Sequence, residues 1–527
     1  MLEGVNFVYK SQCCCPEYPY QMPESRTEAT NLSGQKMPQP KQICHSLLEN
    51  LIYLRTQFSG SMDLIVREFK IAETDAALIS IDNLVDKQTI AQSILNPIRR
   101  VNLRKTEGYA LMCHLRDDVL TTVDQEQIND FENMFVKLMS GFAMLAIDGC
   151  NFVLSIGVQS FAYRSISEPM NEVVQKGSRE SFVEPYVINI SMIRRRMKST
   201  NLVFERLQIN SESKTDVCLC YLKDRVSPKV LSRLKQNLHK IRMQTVMASG
   251  YLAPFIERHS LFNSVGISER PDTVCGKISE GRIAILIDGT PNALIVPHLF
   301  IENFQSFDDY STRPFFATFT RWLKVFAFFL AIFLPGFYVA SCTFHLEFLP
   351  QVLLDKILQS QAETPFSGMV ECLLVHFIYE ILREAGLRVP KPLGQIISIV
   401  GGLVIGDAAV QSGLVGSPTL LMIALTAISS YVAPTLYEQT ALLRLLFIAI
   451  GGILGFWGIT LGFCAVLLNI CTVSVYNIPF SAPVSPFSFK SMRDVAVRAS
   501  WKILHKNVET VQNMPGSHAD RKGGGKE

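Results

Sequence analysis

Enzyme signatures are missing from this sequence. It has no glycine-rich phosphate loop, no Gly-x-Ser-x-Gly elbow and no His-Glu-x-x-His helix. The nine histidines stand apart from carboxylates and cysteines at ligand spacing, so no catalytic residue, cofactor or metal is expected. The nearest approach to a zinc motif, Cys13-Cys14-Cys15 with Cys44-His45, lacks the two-residue gap that zinc sites use. The 13 cysteines are scattered and odd in number, which argues against a disulfide framework. Cys342, Cys372, Cys464 and Cys471 fall in apolar runs, where cysteine serves as a small hydrophobe. Met1 to Phe58 shows no basic stretch followed by an apolar one, so no secretory signal is read there. A net charge of +3 is too balanced to suggest a nucleic-acid partner.

Charge is present but unevenly spread. Residues 1–320 read as a charged, mixed α/β region, and residues 321–478 as a membrane domain. The run from Trp322 to Phe344 carries one charge, Lys324, and supplies the roughly 20 apolar residues that a span needs. Further apolar segments follow at Phe366–Arg383, Leu393–Ser412 and Pro418–Val432. The run Leu442–Val475 is long enough for two short helices, with Gly451, Gly452, Gly455, Gly458 and Gly462 as break points. Basic residues flank the first span (Arg313, Arg321, Lys324), precede the third (Arg383, Arg388, Lys391) and recur in the tail (Arg493, Arg498, Lys502, Lys506). The positive-inside bias therefore puts both termini in the cytoplasm, with six crossings, or four plus a re-entrant pair.

The soluble half reads as a duplication. Asp63-LIVREFKI and Asp75-AALISID are two strands, and Asp86–Arg99 is a helix ended by Asn96-Pro97. The order recurs in Asn201-LVFERLQI, Asp216-VCLCYLKD and Ser227-PKVLSRLKQNLHKI, with 141 positions between Asp75 and Asp216. The apolar runs around Asp148-Gly149 and Asp288-Gly289, 140 apart, read as hairpins with tight turns, since glycine accepts positive φ. Asp148 and Asp288 are accordingly turn residues. The expected fold is an α/β soluble N-terminal region of two similar subdomains, followed by a polytopic α-helical membrane domain. The segments are a disordered extension (1–42), a first subdomain (43–200), a second (201–320), the transmembrane domain (321–478) and a cytoplasmic tail (479–527).

Ionisable groups within a bilayer are expensive and rare unless they face water or a partner. This makes Asp407, Glu371, Glu380 and His376 candidates for a pathway, with Gln395 in the same apolar segment as Asp407. Glu371, Glu380 and Arg383 also suit an interfacial helix with its charges among headgroups, and Asp407 suits exposure at the far interface. Gly394, Ser398, Gly402, Ala409 and Gly413 would let helices approach closely. Val400 and Val404, one turn apart, make an apolar constriction that gates by dewetting. In the soluble half, Ile193-Arg194-Arg195-Arg196 is either a solvated helix face or a contact surface, with Arg179 and Glu180 as subunit-interface candidates.

The runs Ile283-AILIDGTPNALIVP-His298, Phe304-QSFDDYSTRPFFATFTRWLK, Leu330-AIFLPGFYVA, Tyr379-EILREAGLRVPKPLGQIISIVGGLVIGDAAVQSGLV and Ala424-LTAISSYVAP resemble the A subunits of GerA-type spore germinant receptors. The likeness covers about residues 45–480. Lys176-GSRESF departs from the family's usual string, as does the long tail from Pro486. The resemblance implies a nutrient-gated complex in the inner membrane of bacterial endospores. The A subunit would join a transporter-like B subunit and a lipoprotein C subunit, and its homo-oligomer would form a monovalent-cation channel. A SpoVAF-type sister branch implies an accessory ion channel instead. A secondary transporter is a further reading, although its inverted repeats are not seen in 321–478. A non-conducting scaffold is a third.

Overall fold

The computed structural model describes residues 41–519, apart from 59–60, 102–107, 161–168, 170–171, 173, 210–211, 390–403, 405 and 505–509. The expected disordered extension lies outside the described residues except for Lys41 and Gln42, and Gln42 bridges to Asp130.

Two five-stranded antiparallel sheets share one topology. The first has the order β1-β2-β4-β5-β3, built from β1 (Leu64–Ile71), β2 (Thr74–Ile81), β3 (Gln125–Ile128), β4 (Phe142–Ile147) and β5 (Val153–Gly157). The second has the order β6-β7-β9-β10-β8, from β6 (Leu202–Gln208), β7 (Asp216–Leu222), β8 (Gly266–Ser268), β9 (Ile283–Ile287) and β10 (Ala293–Val296). Helices α1 (Leu47–Gln57) and α2 (Phe131–Leu138) cover one face of the first sheet through Ala77, Ile79, Met144 and Ala146. Their counterparts α3 (Tyr186–Arg196) and α5 (Pro271–Ser279) cover the second through Cys218, Cys220, Ala284 and Leu286. Between them in sequence, α4 (Pro228–His239) lies on the opposite face of the second sheet.

The duplication extends to single side chains. Asn50 closes a loop on Cys44, accepting from its N–H at 3.0 Å and donating to its carbonyl at 2.6 Å; Asn189 does the same to Val183 at 2.9 and 2.6 Å. Asp148 accepts from the N–H of Leu47 at 2.9 Å, and Asp288 from that of Tyr186 at 3.3 Å. These aspartates therefore anchor the first turns of α1 and α3 to the hairpins, where a carboxylate meets otherwise unpaired N–H groups and the positive end of the helix dipole. Gly149 and Gly289 follow them at φ of 86° and 87°.

Two sequence readings shift here. Because α3 packs on the second sheet, the second subdomain begins before Phe182 rather than at residue 201. The helix after Asp86 ends at Arg99 as expected, but Asn96-Pro97 lies inside its last turn rather than closing it. A π-helical stretch, Ile90–Leu95, precedes the proline, and such a wider turn accommodates a ring that cannot donate a backbone hydrogen bond.

The second sheet's other face joins the helical domain directly. Val217, Leu219, Ile283 and Ile285 share one core with Phe328, Ile332, Leu443, Phe447, Val466 and Ile470. The bundle comprises α6 (Pro314–Phe344), α7 (Gln351–Glu363), α8 (Gly368–Arg388), α9 (Gly406–Gln411), α10 (Ser417–Ser430) and α11 (Tyr437–Thr472). Helices α6 and α11 are long and apolar enough to cross a membrane, and α7 and α8 meet at a 79° bend. α6 begins seven residues before the expected boundary at 321.

α11 is a hairpin of two antiparallel halves. Near its start Gln439 donates to Asn263 at 2.8 Å, and near its end Asn469 accepts from Ser260 and Leu261, both at 3.1 Å. Both ends thus sit on one loop of the second α/β unit. The chain reverses at Gly455, with φ 61° and ψ −149°, a region essentially reserved for glycine. Phe447 and Phe463, eight residues either side of this point, both pack on Phe333, at 4.6 and 5.4 Å. The tip reaches the far end of α6, where Phe456 stacks on His345 at 4.5 Å. Gly455→Ala is expected to cost about 1–3 kcal/mol, read as a lower melting temperature and earlier proteolysis of the detergent-solubilised protein. An unchanged melting curve would mean that the reversal does not depend on this glycine.

These contacts order the passes along the bundle. α6 leads away from the soluble units. α8 returns, since Arg383 lies over the Tyr437 ring at 4.1 Å at the near end. α9 is at the far end, with Ala409 packed beside the Leu349 and Met369 cluster. α10 returns to the near end, where the Tyr379 and Tyr431 hydroxyls meet at 3.1 Å. The hairpin then goes out and back. The end of α8 and the start of α9 lie at opposite ends of the bundle.

Candidate coupling site at the base of the bundle

The loop before α6 and the first turns of α6 are locked by buried charges. Arg321, 3% exposed, donates from Nε to Asp309 at 2.8 Å and from Nη1 to the Asp494 carbonyl, with the Asp494 carboxylate 3.3 Å away. Asp309 also caps the preceding turn, accepting from the Ser306 N–H at 3.2 Å and its hydroxyl at 3.0 Å. Tyr310 donates to Asp494 at 3.0 Å. Arg321 therefore joins the loop before α6, the first pass and the tail.

The tail is a folded strap. Phe300 N–H donates to Phe480 at 3.1 Å, Val511 N–H to Glu280 at 2.9 Å, and Gln512 to Arg225 at 2.6 Å. Since α6 starts and the strap ends against the same α/β unit, the soluble half and the tail lie on one side of the bundle. A cavity of about 200 Å³ sits beneath the strap, lined by Arg282, Glu302, Tyr310, Arg493, Asp494 and Trp501 among others.

Next to it lies a second buried cluster. Glu302 pairs with Arg282 and, at 2.7 Å, with Lys277; His298 stands 3.1 Å from its other oxygen. Burial alone would raise the Glu302 carboxyl, but Arg282 and Lys277 hold it well below the usual carboxylate range. A depressed carboxylate contributes stability above its unfolded value, lost as pH falls through the folded one. Unfolding between neutrality and strong acid is therefore expected to lose a component in Glu302→Gln, below the ordinary carboxylate range. Identical acid-unfolding curves for parent and variant would remove Glu302 from that balance.

Polar groups also line the bundle interior. Glu371, 1% exposed, accepts from the Gly416 N–H at 2.6 Å, joining α8 to the start of α10. It is buried among helices, not displayed among headgroups. Arg444 is fully buried, donating to the Ala331 carbonyl at 2.8 Å and to Ser430. Glu380 accepts from Tyr437 at 2.8 Å and from Arg383 at 3.0 Å.

The sequence candidates are dispersed. Asp407 is exposed at the start of α9, bonded to Gln411 at 2.8 Å. No described contact joins it to Glu371. Val404 is 57% exposed. Gln395 and Val400 lie outside the described residues, with Gly394, Ser398 and Gly402. Gly413 falls beyond the end of α9. In the soluble half, Glu180 is paired with Arg195 and Arg196 of its own chain, so a charge reversal there acts first within the subunit. Arg194 is not on a solvated face: it is buried against Asp63. Sequence reasoning passed over Arg444 and Arg321. A cation inside an apolar run is itself a signal, whereas Arg321 was counted only as a flanking positive charge.

A duplicated α/β unit whose second copy shares its core with a multi-pass helical bundle defines a membrane protein with a built-in soluble module. Residues 52–510 match the family described as Bacillus/Clostridium GerA spore germination protein, and the chain belongs to that family. It is 36% identical over 484 residues to spore germination protein KA of Bacillus subtilis (strain 168), covering 90% of this chain and 89% of that one. It is 29% identical to spore germination protein GerLA of Bacillus cereus, covering 89% and 96%. It is also similar to the crystal structure of the N-terminal domain of the A subunit of the Bacillus megaterium spore germinant receptor GerK3. That match has 30% identity and a TM-score of 0.41, covering 50% of this chain and 99% of the other.

Proposed function

We propose that this chain is the A subunit of a nutrient germinant receptor, forming an oligomeric, nutrient-gated monovalent-cation channel in the inner membrane of the spore. Membership of the GerA family supports a role in germination. The observation carrying the channel reading is the continuity between soluble module and bundle. One hydrophobic core runs from the second sheet into α6 and α11, and Arg321 ties the first pass to Asp309 and Asp494. A movement of the α/β units would reach the helices through these contacts. A transporter-like B subunit and a lipoprotein C subunit are the proposed partners, with the soluble module in the spore core. No catalytic step is part of this reading.

The test is conductance. The full-length protein in liposomes, with and without the B and C subunits, is expected to pass K⁺ or Na⁺. Silence in both preparations would overturn the channel. Within it, Val400→Ala is expected to leak ions without nutrient, read as potassium loss from dormant spores. Normal dormancy together with normal conductance would take the gate away from this segment.

A further inference from the structure

The strap exposes a run of large apolar side chains together with positive charge. Phe487, Phe489, Val497, Trp501 and Ile503 are exposed, Phe489 by 82%. The exposed charges of residues 484–504 are Lys490, Arg493 and Lys502, all positive, and Lys490, Arg493, Trp501 and Ile503 also border the rim of the cavity beneath the strap. The remaining charges turn inward: Asp494 to Arg321 and Tyr310, and Arg498, 2% exposed, to the Tyr310 carbonyl at 3.1 Å.

The strap's position is fixed against α6. Trp322 donates to the Ala496 carbonyl at 3.1 Å, Arg498 N–H to Thr318 at 3.0 Å, and Trp501 to the Tyr310 carbonyl at 3.2 Å. This places it beside the first turns of the apolar helix, whose own exposed residues there include Phe315, Phe316, Phe319, Trp322, Leu323 and Phe326. Aromatic rings mixed with lysine and arginine at the mouth of a span are the composition of a membrane interface. An aqueous loop would have no cause to expose five large apolar side chains together.

We infer that residues 484–504 form an interfacial platform that docks on anionic phospholipid headgroups around the entry of α6. The apolar side chains enter the headgroup–acyl boundary while Lys490, Arg493 and Lys502 contact the anionic groups. The inference rests on the reading of α6 as a membrane span, and is independent of whether the bundle conducts. It gives the strap a second role: Asp494, between Arg321 and this platform, links the lipid surface to the base of the first pass.

The test uses the full-length protein in phosphatidylcholine vesicles with and without phosphatidylglycerol. Quenching by lipids brominated near the headgroup is compared with quenching by aqueous iodide. The Trp501 signal is the difference between parent and Trp501→Phe, and the Trp457 signal the difference between parent and Trp457→Phe, which reports bundle insertion. Trp501 is expected to be quenched by brominated lipid and shielded from iodide, more so with phosphatidylglycerol. Replacing Lys490, Arg493 and Lys502 by Gln is expected to lower the docked population about fivefold per charge. Trp501 open to iodide and untouched by brominated lipid, with Trp457 quenched, would overturn the platform and leave the membrane reading intact. Neither tryptophan quenched would overturn both. Lipid quenching independent of phosphatidylglycerol and of the three charges would overturn the anionic recognition.

Discussion

Asp63→Ala is expected to destabilise the paired α/β units by about 3–5 kcal/mol, because it strands a buried guanidinium. Arg194 meets Asp63 in a two-point contact, Nε to Oδ2 at 2.7 Å and Nη2 to Oδ1 at 3.0 Å, with both side chains at most 2% exposed. Nη1 donates to the Ser199 carbonyl at 2.9 Å, and Nη2 is shared with Ser61 at 3.0 Å and the Leu202 carbonyl at 3.1 Å. The pair therefore joins the turn before β1 in one unit to the last turn of α3 in the other. Arg194→Met should cost a similar amount, since it leaves the Asp63 carboxylate buried without its counter-charge, whereas the double variant Asp63→Ala with Arg194→Met removes both charges and should cost less than either single change. The duplication supplies a control. Arg55, 139 positions earlier, pairs with Glu68 on the surface, both more than half exposed, and Glu68→Ala should cost no more than about 1 kcal/mol. Denaturant unfolding of the purified protein distinguishes them. Equal effects at Asp63 and Glu68 would mean that burial of the first pair contributes nothing.

Asp309→Ala is expected to act on transmission as well as on stability. Arg321 would keep Asp494, 33% exposed and 3.3 Å away, but lose its closest buried carboxylate. Breaking one side of a buried pair costs about 3–5 kcal/mol, here concentrated where the soluble unit, α6 and the strap meet. Spores carrying the variant should hold near-normal amounts of inserted protein yet release ions slowly or not at all when given nutrient. Asp309→Asn, which keeps one of the two acceptor oxygens and loses the charge, should fall between. Full ion release at normal protein level would show that the signal does not pass through Arg321. Loss of the protein itself would make the contact purely structural.

Much was legible before any coordinates. The second copy of the α/β unit follows from paired positions such as Asp75 with Asp216 and Asp148 with Asp288, because strand periodicity and tight turns are local properties of the chain. The break at Gly455 was among five candidate glycines, and the capping residues Asp86 and Ser227 were visible as helix starts. The boundary between the units was not. Nothing in α3 says which sheet it covers, since its apolar face would fit either.

The candidate site divides along the same line. Composition alone determined that this chain has a soluble half and a helical half, because the number of apolar residues in a row decides what water will tolerate. Single positions such as Glu371 could be flagged because a charge in an apolar run is costly wherever it sits. Which carboxylate neutralises which arginine was decided by the tertiary structure. Asp494 lies 173 positions from Arg321, and Asp63 lies 131 from Arg194. Pairing at such separations depends on how helices and sheets pack, and packing is a sum of many weak contacts that no short stretch of sequence contains.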